Sequence, residues 1–326
     1  MTPATFSHQP VMFDEVMEVF ASTESGIVVD GTLGAGGHSE GLLEQRGDRH
    51  VLGLDRDPQA VAAAKTRLAR FSGRFFASHR EFDEFDLALQ EACSYDNGFC
   101  GIPVGLLLDL GVSSPQLETA ERGFSYRLEG PLDMRMDPTH GQTASEYLDA
   151  VTLQELAKLL RDNGESRFAV RIAKAILGAR PYRSTSQLAE VVKSAIPAAA
   201  RRTGGHPATR VFQALRVKVN NELERLESAL EKAFTLLPGG RIAVLSYHSG
   251  EDSIVKSLFR DQVTGGCTCP PRYGCVCGAE PKARYIVKSK APSREEIETN
   301  PRARSARLRA IEMFRIVVPA GGDADG

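Results

Sequence analysis

Short apolar runs alternate with helical patterns through the first third of the chain. Runs suited to buried parallel strands lie at residues 27–29, 51–54, 74–78 and 103–110, and residues with helical spacing follow each of the first three. A further run of this kind lies at 241–246. Strands that alternate with helices predict an α/β fold with a mostly parallel sheet.

This alternation stops at about residue 117 and resumes near residue 238, and most of the interval has helical spacing. We therefore predict an inserted helical domain at 117–208, which would recognise the substrate. The α/β domain would then be made of a first part at 1–116 and a second part at 209–326.

An apolar stripe with steps of three and four residues predicts one long helix over 209–237. Its members are Phe212, Leu215, Val219, Leu223, Leu226, Leu230 and Phe234. We interpret the stripe as core packing, with the seam of a homodimer as the alternative.

A glycine-rich turn follows the first strand, with four glycines between residues 31 and 37. Asp30 ends that strand and Asp55 ends the next one. Glycines let the backbone approach a ligand closely, and a carboxylate after the second strand can accept hydrogen bonds from ribose hydroxyls. The pattern predicts a site for an adenosyl ligand, with a turn that binds nothing as the alternative.

The residues of this turn favour S-adenosylmethionine over a dinucleotide. A dinucleotide-binding turn has a third glycine where this chain has Ser39, and Asp30 would repel a pyrophosphate. A carboxylate suits the cationic groups of S-adenosylmethionine. A nicotinamide-dependent oxidoreductase is therefore the weaker alternative.

Polar residues follow the strongest buried strand, which ends on Asp109 and leads into the loop at 111–116. Ligands of open parallel sheets collect outside the carboxyl ends of the strands, so a methyl acceptor is expected here. Asp109 could instead be a turn or capping residue. Phe82 lies just past the third strand and suits either the core or the adenine ring.

Composition limits the remaining choices. The 326 residues are 42% hydrophobic and carry a net charge of −2, which excludes a protein that is basic all over. Residues 282–315 hold ten Lys or Arg against four acids, so this basic C-terminal segment is either a phosphate-contacting face or a solvated surface. No apolar run is long enough to span a membrane and no signal peptide is evident, so we expect a cytoplasmic protein.

Four of the six cysteines lie in a loop at 265–278, as Cys267, Cys269, Cys275 and Cys277. They match a structural zinc site in number, but the C-x-C spacing is less diagnostic than C-x-x-C. The four cysteines could bind zinc or remain reduced thiols, and the sequence does not decide between the two. No metal is assigned to the active site. Six cysteines in a chain of this length do not indicate a disulfide scaffold.

Several long blocks together resemble the ribosomal RNA small subunit methyltransferase H family, whose members methylate the exocyclic N4 of a cytidine in 16S rRNA. The blocks are DGTLGAGGH at 30–38, LLDLGVSSPQ at 107–116 and GPLDMRMDP at 130–138, with shorter ones at 55–58, 121–125, 206–210 and 247–249. The resemblance implies a class I S-adenosylmethionine-dependent methyltransferase with a helical insertion. Gly250 stands where the family has leucine.

The resemblance also implies site residues. Contacts to S-adenosylmethionine would come from Gly36, Gly37, His38, Asp55 at the ribose, Phe82 at the adenine, Asp109 and Gln116. The substrate would be small-subunit rRNA, within the assembled or assembling subunit.

An exocyclic cytosine amine is a weak nucleophile, so the enzyme must extrude the base and align N4. We hypothesise that Asp109 or Ser113 orients N4 and that Phe124 or Tyr247 stacks on the base. A non-catalytic rRNA-binding or assembly factor that does not need S-adenosylmethionine is the main alternative from another class. A small-molecule methyltransferase is a further one.

Overall fold

The computed structural model describes residues 10–201, 206–270 and 275–315. Residues 1–9 and 316–326, at the ends of the two predicted parts of the α/β domain, lie outside the described residues. So do 202–205 in the predicted insertion and 271–274 in the cysteine-rich loop.

Seven strands in the described residues form one sheet, with the order β3-β2-β1-β4-β5-β7-β6. The strands are β1 (Ile27–Asp30), β2 (His50–Asp55), β3 (Phe75–His79), β4 (Gly105–Asp109), β5 (Arg241–Ser246), β6 (Ala283–Lys290) and β7 (Arg307–Met313). The first five are parallel, and β7 runs antiparallel to both of its neighbours. This order confirms the predicted class I methyltransferase fold, although the sequence did not predict β6.

Helices cover both faces of the sheet because alternate strand residues point to opposite sides. Val28 of β1 joins a core with α1 (Phe13–Ala21) and α2 (Gly37–Gln45), whereas Val29 joins the opposite core. Helices that complete the sandwich are α3 (Pro58–Arg67), α4 (Phe85–Tyr95), α12 (Glu222–Leu236), α13 (Ser249–Thr264) and α14 (Arg294–Thr299). None of the described helices is long and apolar enough to cross a membrane.

The insertion is helical and has its own hydrophobic core, which includes Leu148, Ile172 and Leu215 and is separate from the two sheet cores. After α5 (Ser114–Glu118), its helices are α6 (Ala144–Ala150), α7 (Leu153–Asp162), α8 (Ala169–Gly178), α9 (Thr185–Ala195), α10 (Ala198–Arg201) and α11 (Ala208–Val219). Helix α11 also packs on this core, so the contacts of the helical unit continue past residue 208. The division of the chain at residue 208 stays a prediction.

The prediction of one helix over 209–237 is wrong, since the chain breaks between α11 and α12. Asn221 adopts a left-handed conformation with φ 49°, which asparagine tolerates better than most residues. Leu215 packs in the helical core and Leu230 in a sheet core. The apolar stripe is therefore core packing, as interpreted, and a homodimer stays a prediction.

Among the described cysteines, Cys93 in α4 and Cys100 before β4 form a disulfide, with Cα atoms 4.6 Å apart. This pair, seven positions apart, closes a short local loop and does not organise the fold. Cys267, Cys269, Cys275 and Cys277 are unpaired.

Candidate active site at the carboxyl end of the sheet

The strand order reverses between β1 and β4, and this is where open α/β sheets bind their ligands. Asp30 and Asp109 end these two strands. Thr32 ties the strand ends together, because its hydroxyl accepts a hydrogen bond from the Asp109 backbone N–H at 2.6 Å. Parallel pairing thus brings together two carboxylates that are 79 positions apart in the numbering of the chain.

The glycine-rich turn keeps the crevice at these strand ends open. A Cβ on Gly31 would lie 2.6 Å from Leu108 Cδ2 and 3.0 Å from Phe82 Cβ. Gly36, the residue before α2, has φ 80°, which favours glycine. Phe82 therefore borders the turn, where an adenine ring is expected, and its contact with adenine stays a prediction.

Asp55, at the end of β2, holds the turn in place. Its two carboxylate oxygens accept hydrogen bonds from the backbone N–H groups of Gly34 and Asp57, both at 2.8 Å. Burial raises the pKa of Asp55 to about 6, although these two hydrogen bonds oppose the shift. Each oxygen keeps a second lone pair, so Asp55 can still accept from a ribose hydroxyl.

His38 is a buried polar side chain without hydrogen-bond partners among the described residues. Neither ring nitrogen makes a hydrogen bond, and the residue is only 6% exposed. Its Nε2 lies 3.5 Å from Asp109 Oδ2, and its ring stacks on Phe13. Buried polar groups in native proteins are normally paired, so this histidine indicates a place where a ligand binds.

Asp30 is the more deeply buried of the two strand-end carboxylates, at 1% exposed. Burial raises its pKa, while a 2.7 Å hydrogen bond from the Ser39 hydroxyl to Oδ2 opposes the rise. Together with Asp109, it makes the crevice suitable for a cationic ligand and unsuitable for a pyrophosphate. The residues therefore fit S-adenosylmethionine.

Asp109 is held in one orientation by Tyr247, which follows β5. The Tyr247 hydroxyl donates to Asp109 Oδ1 at 2.7 Å. Burial and the adjacent carboxylate raise the pKa of Tyr247 well above its ordinary value, so the phenol stays neutral and remains a donor. The Asp109 side chain is 23% exposed, and its Oδ2 accepts no hydrogen bond from the described residues.

Gln116 uses its side chain within the protein. Its Nε2 donates to Asp57 Oδ2 at 3.1 Å, and its Oε1 accepts from the Ser113 N–H at 3.1 Å. Asp57 Oδ2 also accepts from Arg122 Nη1 at 2.7 Å. A contact of Gln116 with the cofactor stays a prediction. Our sequence reasoning missed Asp57 and Arg122, although Asp57-Pro58 at a helix start was a visible capping signal.

Ser113 is the N-cap of α5, and its hydroxyl accepts from the Gln116 backbone N–H at 3.4 Å. This leaves Asp109 as the stronger acceptor for an amine, and the role of Ser113 stays a prediction. Phe124 is only 6% exposed and belongs to the helical core, which disfavours base stacking, and that role stays a prediction. Tyr247 is half-buried beside Gly111 and remains a candidate.

His248 begins α13 as its N-cap, with Nδ1 accepting from the Glu251 N–H at 3.4 Å. Its Nε2 lies 2.9 Å from Glu251 Oε1 in an alignment that makes no hydrogen bond. Burial alone would raise the pKa of Glu251, but His248 and Arg216 hold it below its ordinary value. These contacts give His248 a structural role at the start of α13.

The helical unit is attached beside the crevice by hydrogen bonds to the α/β domain. Arg56 Nη2 donates to the Asn220 carbonyl at 2.9 Å, and Arg122 Nη1 donates to Asp57 Oδ2 at 2.7 Å. Within the helical unit, Asn220 Nδ2 donates to the Met134 carbonyl at 2.8 Å and Arg122 Nη2 to the Met136 carbonyl at 2.7 Å. The segment at 122–138 therefore lies at the junction of the two units.

Four basic residues of the C-terminal segment pair with acids from elsewhere in the chain, and Arg284 pairs with Glu312 of the segment itself. The outside pairs are Lys290–Glu15, Arg302–Glu118, Arg309–Asp252 and Arg315–Glu24. These four outside acids lower the local excess of positive charge from six to two. Arg302 also contacts Ser114 of α5, next to the crevice.

A family model described as the MraW methylase family matches residues 5–314. The ribosomal RNA small subunit methyltransferase H of Heliobacterium modesticaldum is 48% identical over 95% of this chain and 99% of that protein. The protein of the same name from Geobacter sulfurreducens is 47% identical over 94% and 99%.

A solved rRNA methylase from Streptococcus thermophilus aligns with a TM-score of 0.38 and 12% identity over 93% of this chain and 94% of that one. This similarity is too weak to support the fold assignment, which rests on the strand order. The family match and the two relatives cover nearly the whole chain. The chain therefore belongs to the MraW methylase family.

Proposed function

We propose that this protein transfers a methyl group from S-adenosylmethionine to the exocyclic N4 of a cytidine in 16S rRNA of the small ribosomal subunit. The observation that carries the chemistry is the Asp109 carboxylate, which Tyr247 fixes at the end of β4 with one oxygen left to accept. The rRNA substrate is supported by the names of the relatives, which are rRNA small subunit methyltransferases.

The crevice suits S-adenosylmethionine, which when bound supplies an electrophilic methyl group on a sulfonium. We assign Asp30 and Asp109 to its positive charges, Asp55 to the ribose and Phe82 to the adenine edge. The remaining contacts would come from Gln116 and from the turn residues Gly36, Gly37 and His38. The unpartnered nitrogens of His38 are the observation that most directly supports a bound ligand.

Asp109 would act on the amine of the acceptor. The N4 lone pair of cytosine is delocalised into the ring, and a carboxylate that accepts an N4–H hydrogen bond helps to localise it. The same carboxylate stabilises the positive charge that develops on nitrogen as the new N–C bond forms. Nitrogen gains one methyl carbon and loses one proton, and the partial exposure of Asp109 gives that proton a route to water.

The helical unit supports a large substrate. It has its own core and is attached beside the crevice through the Arg56–Asn220 and Arg122–Asp57 hydrogen bonds. A small-molecule methyltransferase has no need of such a unit. We infer a structured subunit as the substrate and, with it, a cytoplasmic location. No homodimer is required by this scheme.

The proposal is tested with small subunits from cells that lack the protein, incubated with purified enzyme and methyl-labelled S-adenosylmethionine. The RNA is then digested and its nucleosides are separated. Label in N4-methylcytidine is the expected result, and label in another nucleoside would reject the N4 assignment. Parallel reactions with protein-free 16S rRNA distinguish a naked RNA substrate from a subunit.

Two other classes of protein predict different results, the first in this assay and the second in an absorbance assay. A non-catalytic assembly factor would bind subunits and transfer no label, and Asp55→Ala would leave its binding unchanged. A nicotinamide-dependent oxidoreductase would change the absorbance of NADH or NADPH. The Asp30 carboxylate at the end of β1 argues against the second class because it would face the pyrophosphate.

A further inference from the structure

Four thiols converge in the loop between α13 and β6, away from the crevice. The Sγ atoms of Cys267, Cys269, Cys275 and Cys277 all lie within 4.8 Å of one another. Three of the distances are short: 3.4 Å for Cys267–Cys275, 3.4 Å for Cys275–Cys277 and 3.6 Å for Cys267–Cys277. They are the only cysteines of the described residues outside the disulfide.

These distances match the edges of a metal–thiolate tetrahedron. With a Zn–S bond of about 2.3 Å, tetrahedral geometry places the sulfurs about 3.8 Å apart. Each C-x-C pair supplies two sulfurs, one pair on each side of residues 271–274.

The described part of this loop has little else to hold it in shape. No residue at 265–270 or 275–282 belongs to a hydrophobic cluster of the described chain, and Val276 is 89% exposed. Its backbone hydrogen bonds lie at its start and its base, from the Gly266 N–H to the Asp261 carbonyl at 2.9 Å, from the Cys267 N–H to the Thr264 carbonyl at 3.2 Å and from the Lys282 N–H to the Gln262 carbonyl at 2.8 Å. Four clustered thiols without apolar cover are what a bound metal would explain.

We propose that Cys267, Cys269, Cys275 and Cys277 bind one structural Zn²⁺ as four thiolates. Thiolate ligands select zinc over magnesium and calcium, and four protein ligands leave no open position for catalysis. Binding releases the thiol protons to solvent and involves no oxidant.

The position of the loop in the fold gives the metal a structural role. Helix α13 begins at the carboxyl end of β5, beside the crevice, and runs back to the opposite edge of the sheet. The cysteine loop follows its last residue, Thr264, and leads into β6. Zinc would therefore stabilise the connection between α13 and β6 without contacting Asp109.

The test measures metal content of the full-length protein, expressed with zinc in the medium and purified under reducing conditions without chelators. Elemental analysis should find about one zinc per chain. Cys275→Ser and Cys277→Ser should each lower the zinc content by about tenfold. The matched control is the double variant Cys93→Ser/Cys100→Ser, which removes the other two cysteines and should keep its zinc.

Cobalt substitution and thiol counting keep the test independent of any folding defect in the variants. Cobalt(II) added to metal-free wild-type protein should give the intense absorption of a tetrahedral thiolate complex. Wild-type protein in which the thiols of Cys267, Cys269, Cys275 and Cys277 all react and no zinc is bound, even after reduction and zinc addition, would overturn the proposal. Bound iron in place of zinc, or disulfides among these four cysteines that persist under these conditions, would overturn it too.

Discussion

The Asp109→Asn variant tests whether the Asp109 carboxylate accepts a hydrogen bond from the N4 amine of the substrate. The amide can keep the hydrogen bond from Tyr247 through its oxygen, because the substitution is nearly isosteric. Its NH₂ group then occupies the place of Oδ2, where a donor would face the N4–H groups of the substrate. We therefore expect the fold and the Tyr247 contact to survive while the acceptor for the amine is lost.

The magnitude follows from the kind of contact removed. A hydrogen bond to a charged group contributes about 1.5–3 kcal/mol. If it forms fully only in the transition state, its loss slows methyl transfer by about 10- to 150-fold, at 1.36 kcal/mol per tenfold. Tyr247→Phe removes the donor that orients Asp109 and should slow the reaction less. Because Tyr247 acts through Asp109, the double variant should be no slower than Asp109→Asn alone.

The assay is single-turnover methylation of small subunits at saturating S-adenosylmethionine, with cofactor affinity measured separately by calorimetry. Asp48→Asn is the matched control, since this exposed carboxylate pairs with Arg46 just before β2, at the opposite edge of the sheet. Full turnover by Asp109→Asn at saturating cofactor would refute the role at N4 and leave only a cofactor contact. Additive effects of the two substitutions would refute the action of Tyr247 through Asp109.

Three further predictions concern cofactor binding and the helix break. The pKa of Asp55 is raised to about 6, so its carboxylate takes up a proton in the free protein as pH falls through that value. The affinity for the cofactor, measured by calorimetry, should therefore fall below about pH 6. The Asp55→Asn variant should bind the cofactor weakly at every pH. Gly31→Ala places a Cβ 2.6 Å from Leu108 Cδ2 and should weaken cofactor binding by about tenfold. The control Gly47→Ala, whose Cβ would have no atom within 4 Å, should leave the affinity unchanged. Equal affinities of the two variants would contradict the close packing of the turn. Asn221→Ala should lower the free energy of unfolding by about 1 kcal/mol because alanine is strained at φ 49°, while Asn221→Gly should not, as denaturant melts would show.

The sequence predicted the elements with clear periodicity and missed those set by context. Strands β1, β2, β4 and β5 have buried apolar runs, and the edge strand β3 has the partly buried Phe75 and Phe76. Strand β6 was missed because Arg284, Lys288 and Lys290 make it look like a solvated charged segment. It lies at the sheet edge, where basic residues discourage pairing with other chains. Asn221 was missed because the apolar stripe continues across the break between two different cores.

The charge of the C-terminal segment shows the same limit. The sequence gives the sign of each residue but not its distance from others. The fold brings Glu15 to Lys290 and Asp252 to Arg309. Four pairings of this kind with outside acids reduce the segment's excess of six positive charges to two.

By itself, the sequence determined which side chains stand at the carboxyl ends of the strands. Apolar periodicity places the strands, and parallel topology brings Asp30, Asp55 and Asp109 to one edge of the sheet. Only the tertiary structure decided which carboxylates are already engaged. Asp57 is bound by Arg122 from 65 positions away, and Asp109 is oriented by Tyr247 from 138 positions away. Hydrogen bonds depend on ångström distances between residues far apart in the chain, and local periodicity carries no such information.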